Sequence, residues 1–78
     1  MQVYVKLFSR FRAQLPHEAK GEAAIELPAG STLADLLAQL GIKGRVKLMT
    51  INGVPETDRG YSLQPGDTIH VFPVVVGG

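Results

Sequence analysis

Ser31-Thr32-Leu33-Ala34-Asp35-Leu36-Leu37-Ala38-Gln39-Leu40-Gly41 is the stretch that sets the fold class of this chain. Leu33, Leu36, Leu37 and Leu40 fall at i, i+3, i+4 and i+7, which on a helix of 3.6 residues per turn makes one apolar stripe. Thr32 and Asp35 have the spacing of a capping box, and Ser31 is a second candidate for the cap. Gly41 stands where helices commonly end in a left-handed residue. Such a stripe needs a cover. Burying each leucine against a sheet contributes roughly 1.5–3 kcal/mol before entropy is subtracted.

On the C-terminal side of the helix, Val46, Leu48 and Thr50 alternate with Lys47, Met49 and Ile51, the period of a strand. Asn52-Gly53 is a strong hairpin signal, so Val54 returns antiparallel, and Pro55 limits how far that return can pair. Leu63-Gln64-Pro65-Gly66-Asp67 reads as a type II turn with Pro65 and Gly66 at its centre. Thr68 to Phe72 is a last strand, with Ile69 and Val71 on one face and His70 and Phe72 on the other, ended by Pro73. On the N-terminal side, Glu22 to Leu27 forms a strand with Ile25 and Leu27 facing one way, and Pro28-Ala29-Gly30 turns the chain toward the helix. Ser9 to Gly21, holding Pro16 and Gly21, reads as a loop. Val3, Val5 and Leu7 alternate with Gln2, Tyr4, Lys6 and Phe8 in a first strand.

The order is strand, strand, helix, strand, short return, strand. One helix covers one face of a mixed sheet, which makes the class α+β. Tyr4, Phe8, His70 and Phe72 fall on the uncovered face, either as a partner surface or beneath a folded-back Ser9–Gly21 loop.

Seventy-eight residues form one small domain, and 45% hydrophobic with 19% charged residues is the balance of an ordered globular chain. The absence of cysteine excludes disulfides, thiolate metal sites and an internal cysteine nucleophile. No charged leader precedes an apolar run, and no apolar run approaches the roughly 20 residues that cross a bilayer, so a cytoplasmic location is expected. A net charge of +1 gives no electrostatic case for nucleic acid or an anionic membrane as partner. His17 and His70 stand alone, without metal-site spacing, and no metal is expected. Asp58 and Asp67 lie in turns, where carboxylates bond local backbone. Gly41-Ile42-Lys43-Gly44 is too short for a phosphate loop and ends without a hydroxyl. Lys43, Arg45 and Lys47, and separately Arg10 and Arg12, are either solvated charge or docking contacts for an acidic face.

The chain closes on Val74-Val75-Val76-Gly77-Gly78. One reading is a frayed end. The other is an arm carrying a reactive carboxylate: five extended residues reach about 16–18 Å, and an α-carboxyl group is ionised at neutral pH. The three valines have strand propensity and could also dock by backbone pairing, covering an edge that would otherwise invite aggregation.

Together these features resemble the MoaD/ThiS group of ubiquitin-like sulfur carriers, which includes the small subunit of molybdopterin synthase and the thiamine sulfur carrier. The resemblance rests on the leucine-striped helix, Leu63-x-Pro65-Gly66-Asp67, Phe72-Pro73 and Gly77-Gly78. Phe8-Ser9-Arg10-Phe11-Arg12 is similar to the molybdopterin branch. Pro73-Val74-Val75-Val76 departs from that branch, which usually has a second proline, and leaves the pathway open. The resemblance implies a β-grasp domain over 1–73 and a carrier tail over 74–78. The Gly78 carboxylate would be adenylated by an activating enzyme that uses ATP and Mg2+, then converted to a thiocarboxylate by a sulfur donor protein. Val74, Val75, Val76 and Gly77 would thread the partner's channel, and Phe8, His70, Phe72, Pro73, Arg10 and Arg12 would form the docking surface. The molybdopterin synthase large subunit is a further implied partner. The chain itself would be a carrier without a bound cofactor and not an enzyme. Conjugation of Gly78 to lysines, as a protein modifier, begins from the same adenylate and stays open, as does a stand-alone β-grasp module.

Overall fold

The computed structural model describes residues 1–43 and 45–74. Strands β1 (Gln2–Leu7), β2 (Glu22–Glu26), β3 (Val46–Ile51), β4 (Val54–Pro55) and β5 (Thr68–Pro73) form one sheet in the order β2-β1-β5-β3-β4. β1 and β5 are parallel neighbours at its centre, and the other pairs are antiparallel. Helix α1 (Leu33–Leu40) lies on one face. This is the α+β, β-grasp arrangement expected from the sequence.

The helix forms as its sequence dictates. All four stripe leucines are buried, and both halves of the capping box are present: Asp35 N–H donates to Thr32 Oγ1 and Thr32 N–H to Asp35 Oδ2. The next orphan donors of the first turn are taken by the β4–β5 connection, Leu33 N–H by Tyr61 O (3.1 Å) and Ala34 N–H by Arg59 O (2.9 Å). At the other end Gly41 is left-handed, and Ile42 N–H closes on Leu37 O at 3.0 Å, burying the Ile42 side chain beside the stripe.

Opposite the helix, Val3, Val5 and Leu7 of β1, Met49 and Ile51 of β3, and Ile69 and Val71 of β5 complete the core. Asn52 and Gly53 both have positive φ (53° and 83°), the type I′ geometry that matches the twist of a hairpin. Pairing of β4 stops at Pro55. Gly66 at φ 83° and the Asp67 N–H to Gln64 O bond of 3.1 Å complete the type II turn.

Two expectations need correction. Ser9–Gly21 is not an unstructured loop. It holds two 3-10 helices, Ser9–Gln14 and His17–Ala19, and places Phe11 in the core with Leu15 packed against it. Its apolar content therefore goes to the core, and Phe8, His70 and Phe72 stay half-buried on the open face. Pro73 does end β5, but pairs with Val46 and is buried on the phase of Ile69 and Val71, so it lies off the aromatic face. β3 also carries a register shift between Val46 and Leu48, a bulge at Lys47 that alters which side each residue presents.

Candidate functional site

The open face of the sheet is built from the outward phase of its two central strands. Phe8 follows β1 in extended backbone, and its N–H donates to Val71 O at 3.2 Å, which sets it beside the end of β5. Its ring stacks on Phe72, with centroids 4.1 Å apart and planes 13° from parallel. His70 meets both rings edge-on, at 5.6 Å from Phe8 and 6.4 Å from Phe72. Lys6 Nζ lies 5.4 Å from the Phe8 centroid and 3.9 Å from Glu22 Oε1. Offset and edge-on packing of this kind orders aromatic rings that the core does not hold.

Three of the four aromatics expected on this face thus form one cluster. Tyr4 stands apart, paired with Thr68 in the ladder, 46% exposed, its hydroxyl bonded to Gln2 Oε1. Leu48 completes the patch. It lies directly across from Phe72 and is 39% exposed, although the alternation of β3 alone does not show which phase faces out. The signal that could have found it is the antiparallel register with β5, which the bulge at Lys47 shifts.

The two arginines of the docking set have different places. Arg10 Nη1 donates to Val74 O at 2.7 Å, joining the first 3-10 helix to the start of the tail. Arg12 instead lines a surface groove with His17, Lys20 and Gly21. Val74 is half-buried and follows β5 directly. Val75, Val76, Gly77 and Gly78, expected to form the arm and its reactive end, lie outside the described residues. Lys43, Arg45 and Lys47 are exposed.

The turn carboxylates have local roles. Asp58 Oδ1 accepts from Gly60 N–H at 2.8 Å, and Asp67 accepts from Gln64 N–H and Asn52 Nδ2. Among the described residues, no three His, Cys, Asp or Glu side chains converge as metal ligands, and no helix is long and apolar enough to cross a membrane. The chemical resources of the face are therefore apolar contact, one imidazole and cations at its margin.

The sequence profile of the ThiS family matches residues 5–78. No curated protein matches the chain. Among solved structures, a Pyrococcus furiosus protein assigned as molybdopterin converting factor subunit 1 is 28% identical, with TM-score 0.73 over 96% of this chain and 99% of that one. Small archaeal modifier protein 1 of Haloferax volcanii is 17% identical, with TM-score 0.74 over 95% of this chain and 98% of that one. A chain from the complex of subunits 1 and 2 of molybdopterin-converting factor from Helicobacter pylori is 24% identical, with TM-score 0.66 and all of both chains covered. The last two likenesses concern the fold alone.

Proposed function

The chain belongs to the ThiS family of ubiquitin-like carrier proteins, and from that premise we propose that it carries sulfur on the carboxyl group of Gly78. The observation that carries this reading is the exit of the chain from the sheet. β5 runs past a preformed aromatic patch and ends at Pro73, and the family match continues from there through the two terminal glycines. Residues 1–73 are the docking body and 74–78 the delivery arm.

In the proposed chemistry, a Gly78 carboxylate oxygen attacks the α-phosphorus of ATP in an activating enzyme, and pyrophosphate leaves. Sulfur from a donor protein then displaces AMP at the acyl carbon. If the donor is a persulfide, a second thiol must reduce the acyl disulfide to release the thiocarboxylate. Mg2+ and the phosphate-binding groups belong to the activating enzyme, and this chain contributes the nucleophile and its presentation. Glycine at both final positions keeps the arm narrow where it meets the reacting phosphorus.

The Helicobacter pylori complex supports a large-subunit partner of the molybdopterin-converting kind, as does the likeness to the Pyrococcus furiosus protein. We place the protein in the cytoplasm, where such partners would meet it. The likeness to a modifier protein supports a second reading, in which Gly78 is joined to lysine side chains.

Mass spectrometry of the protein from its native host tests both. A C-terminal peptide in which sulfur replaces one oxygen supports the carrier, provided the shift maps to the tail and not to oxidised Met1 or Met49. A branched peptide ending at Gly78 on a lysine supports the modifier. Adenylation that survives deletion of Gly78 would overturn the two together.

A further inference from the structure

We propose that Arg10 is a positioning residue that clamps the root of the C-terminal arm to the body. The inference deepens the carrier reading and rests on it for its effect on turnover. At the end of β5 the sheet runs out of partners on both sides. β1 makes its last bond to β5 through Phe8 N–H and Val71 O, and then Ser9, at φ 54°, turns the chain into the first 3-10 helix. β3 makes its last pairing at Val46 with Pro73. Val74 is thus the first residue beyond the ladder, and its carbonyl is held by the guanidinium of a residue 64 positions away, at 2.7 Å.

The clamp is itself anchored. The Arg10 guanidinium carbon lies 5.4 Å from the Phe11 ring centroid, and Phe11 is sunk in the core. A cation on an aromatic face is attracted by the ring quadrupole, and a charged donor strengthens the bond to the carbonyl. Body, arginine and arm root therefore form one connected unit. Its effect is to narrow the directions from which the arm starts, so that less ordering is left for the encounter with a partner. Chemistry takes place at Gly78, four residues further on, so the clamp acts on association and not on the reacting atoms.

The test compares the wild-type chain with R10A and R10K. Arg10 is exposed, so neither variant opens the core, and spectral dispersion verifies the fold. By 15N relaxation the Val74 amide is as ordered as β5 in the wild type, loosened in R10A and partly restored in R10K. A Val74 amide equally ordered in R10A overturns the clamp. In ATP–pyrophosphate exchange with the activating enzyme, R10A raises KM for the carrier about 3- to 10-fold, the range an exposed charge-assisted bond provides, and leaves kcat unchanged. R10K falls between. An unchanged KM, or a loss confined to kcat, overturns the positioning role. A wild-type chain that no activating enzyme adenylates overturns the carrier reading and the effect on turnover, while the relaxation result still decides the clamp.

Discussion

Asp67 sits between two turns, with one carboxylate oxygen on the Gln64 N–H at 2.8 Å and the other on the Asn52 side-chain amide at 2.9 Å. Asn52 in turn accepts from Thr68 N–H at 2.9 Å, so the hairpin turn after β3 and the type II turn before β5 are fastened through one half-hidden pair. Replacing Asp67 by alanine strands both donors. Urea unfolding should show a loss of about 2–3 kcal/mol, with D67N between, because its carbonyl serves one donor while its own amide opposes the other. Two glycines make a sharper comparison. A Cβ at Gly21 (φ 81°) would lie 2.7 Å from Leu7 O, a backbone atom, whereas at Gly66 (φ 83°) it meets nothing within 4 Å. G66A should cost only the left-handed penalty of about 1–2 kcal/mol. Thermal melts should place G21A well below it, since backbone must also shift.

Among the elements, the 3-10 segment is the one whose weight is hidden. Phe11→Ala is expected to cost about 3–5 kcal/mol, a large share of the about 4–12 kcal/mol available to a chain of this length. Circular dichroism should find the variant largely unfolded or melting far earlier than the parent. A position in a true surface loop would leave the melt unchanged. The reason this segment could not be read from sequence is physical. A 3-10 helix of one or two turns presents one or two apolar side chains, here Phe11 among arginines and a glutamine with Leu15 just beyond its end, and so has no repeat to detect. The helix α1 was legible because its stripe, cap and left-handed stop all agree within ten residues. The hairpin and the type II turn were legible for the same local reason. The bulge at Lys47 was not, because a bulge exists only relative to a partner strand.

For the molecule as a whole, the division into a helix-covered face and an open face could be read from alternation, and so could Phe8, His70 and Phe72 as the open side. What sequence could not supply is which of them touch, that Leu48 joins them, that Pro73 turns inward, and that Arg10 meets Val74. Each of these depends on register between strands distant in sequence. If the patch is the docking surface of the proposed carrier, Phe72→Ser should lower stability by only about 1–2 kcal/mol, the loss of one partly exposed ring contact. Titration calorimetry against the activating enzyme should meanwhile show binding weakened at least about tenfold, as for a central aromatic anchor. Equal binding by F72S would assign the patch no part in docking. The parallel pairing of β1 with β5, Tyr4 beside Thr68 through Leu7 beside Val71, also bears on how the protein is made. The first strand off the ribosome waits for the last one to complete the centre of the sheet, so no nascent chain stopping short of β5 has a finished core. A truncated translation product lacking β5 would be cleared as unfolded protein, and the aromatic patch, which takes His70 and Phe72 from that strand, exists only after β5 has been made.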